Sequence, residues 1–317
     1  MKLISFVIPC YRSENTLPHV IDEIKETMAG MTEYTYEVIM VNDCSPDDTF
    51  DTIRKICEEN ENMTGVNLAK NFGQHSALMA GFGYAKGDIV VCLDDDGQTP
   101  ACEVGKLIEG IESGADVVYA KYATKHHSGF RNFGSHINEL MTRIMLSKPK
   151  NLSVSSYFAA KKFIIAEILR YEYAFPYVIG LVLRSTKNII NVEVNHRDRE
   201  SGASGYTLGK LLGLWFNGFT AFSVKPLRIA TMSGTFFALC GFAYGIYTII
   251  KKIFIQPPDL VVGFSALMSV IVFMCGMLML MLGLVGEYLG RIYVSMNNSP
   301  QYVIREVVGK TDDGAQK

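Results

Sequence analysis

A chain of 317 residues holds one large globular domain or two modest ones, and a hydrophobic share of 49% is high enough that part of it is expected in a membrane. The net charge of −2 leaves no global basic excess, which argues against a nucleic-acid reader and confines any phosphate site to a local patch. The 7 cysteines (Cys10, Cys44, Cys57, Cys92, Cys102, Cys240 and Cys275) lack a paired metal spacing and fit free thiols in a reducing compartment.

Met1 to Pro9 is a short apolar run ended by a proline, without the long core and cleavage site of a signal peptide, so the N-terminal domain is expected in the cytoplasm. Strands are expected at Leu3–Pro9, Tyr36–Val41, Thr64–Leu68, Ile89–Leu93 and Asp116–Ala120. Between them, apolar residues at helical spacing predict helices over Glu14–Ala29, Asp48–Asn60, Gln74–Ala85 and Ala101–Ser113. The strict alternation gives an α/β domain over residues 1–206, with a doubly wound, mainly parallel sheet. In such sheets ligands collect beyond the carboxyl ends of the strands.

Further on, Leu208–Phe222 is amphipathic, and residues 207–228 are expected to lie in the membrane interface with Trp215 as an anchor. Two charge-free runs follow, 229–250 and 261–285, each long enough to cross a hydrocarbon core of roughly 30 Å. The short link between them makes a transmembrane hairpin over 229–286. Lys225, Arg228, Arg291, Arg305 and Lys310 outside the hairpin outweigh Lys251 and Lys252 within the link, which places the bulk of a multi-pass protein, including a tail over 287–317, on the cytoplasmic side.

Three strand ends are unusually polar: Pro9 to Glu14, Asn42 to Asp48, and Leu93 to Gln98. No Gly-x-Gly-x-x-Gly follows the first strand and no P-loop occurs, so recognition must rest on carboxylates. Asp43 can accept from a uracil N–H or a ribose hydroxyl, while Asp47 or Asp48 suits the cap of the following helix. Asp94, Asp95 and Asp96 gather negative charge at the end of a buried strand, where a hard divalent cation, Mg²⁺ or Mn²⁺, relieves the repulsion. Alternation in an extended segment would turn Asp94 and Asp96 the same way and Asp95 elsewhere. Near the membrane, His196, Arg197 and Arg199 precede the glycine-rich Gly202 to Gly205, with Tyr206 opening the next helix; these suit an acceptor phosphate, with Arg131 and Lys121 as secondary candidates. The plainer alternatives are surface charges and an ordinary turn.

With those residues in view, the chain resembles the inverting GT-A glycosyltransferases that load polyprenyl phosphates, a family that includes dolichyl-phosphate mannose synthase, bactoprenol glucosyltransferases and the undecaprenyl-phosphate aminoarabinose transferase. The likeness runs through Val7 to Tyr11, Val41 to Ser45, Asn71 to His75, Asp94 to Pro100 and Phe222 to Arg228. It implies that Pro9, Tyr11, Glu14 and Asp43 line the nucleotide pocket, that Lys70 lies near the donor and that Asp94 and Asp96 flank a metal diphosphate; Asp95, their neighbour, is a further candidate for the nucleotide sugar. It favours a functional role for Arg199, in catalysis, and for Ser204 at the acceptor phosphate, beside which Arg131, Arg197 and Tyr206 remain candidates from their placement in the sequence, and it implies a UDP-linked donor. Homo-oligomers assembled through the membrane region are a family tendency.

Three positions depart from the family pattern. Thr99 stands within Gln98-Thr99-Pro100 where an Asp is frequent, no carboxylate appears near Ser155 to Phe158 where one is often regarded as catalytic, and a basic residue is replaced within Ser204 to Tyr206. A protein base is dispensable, because a phosphate monoester with a second pKa of about 6 is already largely dianionic at neutral pH. The expected activity is transfer of a sugar, with inversion, to a polyprenyl phosphate. The alternatives are a catalytically silent nucleotide-sugar-binding membrane scaffold and a processive polysaccharide synthase, the latter lacking its Gln-x-x-Arg-Trp segment here.

Overall fold

The computed structural model describes residues 1–122, 149, 151–195, 264–296 and 299–309, together with isolated helical positions between 232 and 254. Its compact units are Met1–Tyr206 with Asn298–Lys317, and Thr207–Asn297. The first is built around β1 (Lys2–Cys10), in which every residue from Ile4 to Cys10 is buried. Such a continuous run marks a central parallel strand covered on both faces. β1 pairs in parallel with β2 (Tyr34–Asn42) and β4 (Ile89–Cys92), and β2 in parallel with β3 (Met63–Leu68).

The intervening helices are α1 (Leu17–Ala29), α2 (Thr49–Glu59), α3 (Gln74–Phe82) and α4 (Val104–Glu112), the last entered through a short 3₁₀ turn at Ala101–Glu103. α1 starts where Pro18 supplies a preset φ and buries Leu17, Val20, Ile21, Ile24 and Met28, one face at helical spacing. α3 differs: Ser76 to Phe82 are all buried, so it is packed all round.

Beyond α4 the alternation breaks. β5 (Val117–Tyr122) does not join β4; β6 (Phe158–Lys161) lies between them, antiparallel to both. After α5 (Lys162–Leu169) and α6 (Val178–Ser185), β7 (Ile189–Val194) pairs in parallel with β5. The sheet therefore runs β7-β5-β6-β4-β1-β2-β3-β8. The sheet is mixed: β1 to β5 and β7 run in one direction, as the expected mainly parallel arrangement has it, and β6 and β8 run against them. β6 is invisible to pattern reading because Phe158-Ala159-Ala160-Lys161 is brief and alanine has little strand preference.

The second departure is at the C-terminus. A helix α7 spans Phe264–Met296, and its segment Phe273–Gly290 is long and apolar enough to cross a membrane by length and composition. Within the tail expected at 287–317, α7 continues to Met296 and Ile304–Gly309 is β8, antiparallel to β3 at the edge of the sheet. The interfacial helix expected at 207–228 and the link at 251–260 lie almost wholly outside the described residues, and only isolated helical positions of the first expected span are described.

β8 packs tightly. A Cβ on Gly65 of β3 would stand 2.4 Å from Ile53 Cγ2 and 2.7 Å from Val308 Cγ2, both on β-branched side chains with little rotamer freedom. Gly65→Val is therefore expected to lower stability by about 1–3 kcal/mol, read as a lower melting temperature of the detergent-solubilised protein. An unchanged melting temperature would contradict the docking of β8 on β3.

Candidate active site

The carboxyl ends of β1, β2 and β4 converge, and the polar side chains there bind one another through the backbone. At the end of β1 the chain passes through Arg12 at φ 58, and at the end of β2 through Cys44 at φ 51, left-handed values that a non-glycine residue adopts only where the surroundings hold it. Those surroundings are hydrogen bonds between the two strand ends. Arg12 N donates to Ser45 Oγ at 2.8 Å, Ser13 N to Thr49 Oγ1 at 3.0 Å, and Asp48 N to Glu14 Oε2 at 3.0 Å. The helix cap falls to Asp47, whose Oδ1 accepts from Thr49 Oγ1 at 2.7 Å and Thr49 N at 3.4 Å; Asp48 makes no capping bond.

Asp43 is buried and engaged. Its two carboxylate oxygens accept the amides of Phe72 at 2.7 Å and Gly73 at 2.8 Å, and its carbonyl accepts Asn71 Nδ2 at 3.2 Å. Burial raises its pKa, an effect these amides oppose. Expected as a direct nucleotide contact, Asp43 fastens the loop Ala69 to Gly73 in this conformation. Lys70 lies exposed on that loop with its ammonium 4.8 Å from the centre of the Phe72 ring. Next along, His75, the second residue of α3, meets Tyr177 edge-on with ring centres 4.9 Å apart; burial lowers its pKa to about 4, so it is neutral at physiological pH.

The acidic run leaves β4 after Cys92 and turns at Asp95 and Asp96, with Gly97 at φ 72. The segment is thus not extended, and strand alternation does not decide which carboxylates share a face. Each is held differently. Asp94 Oδ1 accepts Gln74 Nε2 at 2.9 Å, and its Oδ2 accepts the hydroxyl of Ser156. Asp95 Oδ2 accepts the Tyr11 amide at 2.9 Å, and Asp96 Oδ1 accepts Gln98 N at 3.1 Å on its own turn. Burial, with the charges of Asp96 and Asp95 adding to it, pushes Asp94 up to about 6; burial also raises Asp95. Thr99 braces the turn, donating to Asp94 O at 3.3 Å and accepting Asp94 N at 3.2 Å.

Gln74, Ser156 and Thr99 therefore belong to the site without having been singled out for it. Ser156 lies where a carboxylate was sought, and its hydroxyl orients Asp94 instead. Tyr122 is a further addition: burial and the charges of Asp94 and Asp96 raise its pKa. Tyr11 stands 45% exposed over the strand ends, Pro9 is buried in β1, and Glu14 serves the tie to β2. Arg131, Arg197, Arg199, Ser204 and Tyr206 lie outside the described residues.

The donor set is hard oxygen, but among the described residues no group of three or more His, Cys, Asp or Glu side chains is gathered to hold a metal alone. That fits a cation such as Mg²⁺ or Mn²⁺, which takes one or two carboxylates and fills its shell with substrate phosphates and water.

Residues 5–170 match the model of glycosyl transferase family 2. The chain belongs to that family. Residues 225–292 match a second model, the GtrB C-terminal hairpin. Among curated relatives, the undecaprenyl-phosphate 4-deoxy-4-formamido-L-arabinose transferase of Photorhabdus laumondii is 31% identical over 100% of this chain and 98% of its own length. That of Serratia proteamaculans is 32% identical over 98% and 95%. Among solved structures, glucosyl-3-phosphoglycerate synthase from Mycobacterium tuberculosis, in complex with Mn²⁺, UDP-glucose and phosphoglyceric acid, is 22% identical, covers 66% of this chain and 74% of its own, and superposes with a TM-score of 0.50. At that identity the likeness shows the fold. This family 2 glycosyltransferase thus combines a GT-A-like sheet with an apolar C-terminal helix.

The raised pKa of Asp94 has a consequence for stability. The native state holds this proton more tightly than the unfolded chain, whose group titrates near 3.8, so the contribution is full below that pH and is lost as pH rises through about 6. In metal-free buffer, Asp94→Asn should melt above the parent at about pH 7.5, and the gap should close towards about pH 4. A gap independent of pH, measured by differential scanning calorimetry, would contradict the buried, strained charge.

Proposed function

We propose that this glycosyltransferase moves a sugar from a UDP-linked donor to undecaprenyl phosphate or a related polyprenyl phosphate, with inversion, at the cytoplasmic face of the membrane. The observation that carries the reading is the cross-tied carboxylate cluster at the ends of β1, β2 and β4 in a chain whose full length aligns with undecaprenyl-phosphate transferases. The matched hairpin model over 225–292 supports a second membrane helix before α7, and hence a multi-pass protein whose acceptor enters from the bilayer.

In this reading the protein's own task is positioning. Tyr11 offers an exposed aromatic face for the base, and Lys70 an ammonium for the donor phosphates. Asp94, oriented by Gln74 and Ser156, and Asp96 would hold Mg²⁺ or Mn²⁺, which when bound neutralises the charge developing on the leaving nucleoside diphosphate. No protein base is required, since the acceptor phosphate is itself the nucleophile. Arg199, with Arg131, Arg197, Ser204 and Tyr206, is assigned to that phosphate from the sequence. The relatives' names make 4-deoxy-4-formamido-L-arabinose the first sugar to try.

Purified full-length protein, given a panel of labelled UDP-sugars and undecaprenyl phosphate, should form a lipid-linked sugar that disappears with EDTA and falls about a hundredfold or more in Asp96→Asn. Absence of product across the panel would contradict the activity. Nucleotide binding without product would favour the silent scaffold.

A further inference from the structure

The segment 299–309, which follows α7 in sequence, makes bonds that the carboxylate cluster does not account for. Two of them close on a single residue. Ala69 N donates to Val303 O at 2.8 Å, and Arg305 Nη2 donates to Ala69 O at 2.9 Å, so both backbone polar groups of Ala69 are taken by the C-terminal strand. Ala69 comes immediately after β3, where the pairing with β8 shifts register between Asn67 and Leu68. It also begins the loop whose far end Asp43 fastens through Phe72 and Gly73, and which leads to Gln74 on Asp94. Lys70 and Asn71 are thereby fixed from both sides. Elsewhere on the segment, Gln301 Nε2 donates to the carbonyls of Tyr171 and Tyr173, each at 3.1 Å, so the strand is seated independently of Arg305.

We infer that Arg305 is a positioning residue for the nucleotide-sugar donor, acting through Ala69 to set the loop Lys70 to Gln74 beside Asp94. This rests on the reading above that the loop borders the donor. An arginine that served only to hold the edge strand would resemble its neighbour Glu306, whose carboxylate bonds Arg54 Nη2 at 3.1 and 3.3 Å without touching the loop. Arg305 bonds the loop itself, its guanidinium donating at 2.9 Å to a carbonyl whose other donor is the Cys44 thiol at 3.8 Å.

The comparison of those two neighbours makes the test. In full-length protein in detergent, UDP affinity is measured by calorimetry in the presence of Mn²⁺, alongside KM and kcat for the UDP-sugar and the melting temperature. Arg305→Ala should weaken UDP binding and raise the donor KM by roughly threefold to tenfold, with kcat within about twofold of the parent. Arg305→Lys should recover most of the loss, because an ammonium can still donate to the Ala69 carbonyl, and Glu306→Ala should keep parental UDP affinity. Unchanged UDP affinity in Arg305→Ala overturns the inference, and so does an equal loss in Arg305→Ala and Glu306→Ala, which would trace the effect to the strand's attachment. A parent protein that binds no UDP contradicts the donor reading itself and removes this inference with it.

Discussion

Everything at the catalytic end depends on carboxylates buried at strand ends and held by neutral donors. A buried charge is tolerated only when its lone pairs are satisfied, and here most of the satisfying groups come from other elements. Asp95 takes its amide from the end of β1, Asp43 takes two from the loop after β3, and Asp94 takes Gln74 at the start of α3 and Ser156 at the entry to β6. Each aspartate is thus both a fixed negative charge and a fastener between elements far apart in sequence. Because the donors are neutral, the negative charge is oriented but not cancelled, and Asp94 carries the cost as a pKa near 6. That residual charge is what a cationic metal and its diphosphate can use.

The same economy governs the edge of the sheet. β3 would end the sheet with unpaired backbone groups were β8 not laid against it. Gly65 accepts that close approach for lack of a Cβ, and Gly309 closes the strand at φ 95, a value suited to glycine. The strand that protects the edge also reaches the loop that leads to Asp94, so the chain following α7 contributes to the catalytic unit.

The legible part of the fold was the part governed by period. β1 to β5 and α1 to α4 fall within a few residues of their expected bounds, because continuous apolar runs and helical spacing dominate there. β6, β7 and β8 were missed for separate reasons: Ala159 and Ala160 carry no strand signal, Ile189 to Val194 lies beyond the regular alternation of strands and helices, and Ile304 to Gly309 pairs with a partner more than two hundred positions away that no local pattern reveals. At the site, residue types were legible and partners were not. The Asp94 to Asp96 cluster could be seen from its place after an apolar strand, whereas the turn at Asp95 and Asp96 depends on Gly97 and Thr99, and the orientation of Asp94 depends on Ser156, sixty-two positions away. Asp43 was identified as important for a ligand, and the structure gives it the loop beside that ligand's expected place.

The proposed function requires Asp94 and Asp96 to form an incomplete metal site that a nucleoside diphosphate completes. Mn²⁺ binding, followed by electron paramagnetic resonance on the full-length protein, tests it most directly. The account predicts weak Mn²⁺ uptake by the protein alone, strong uptake when UDP is added, and loss of that increment in Asp94→Asn. Equal uptake with and without UDP, or an increment that survives in Asp94→Asn, would contradict it.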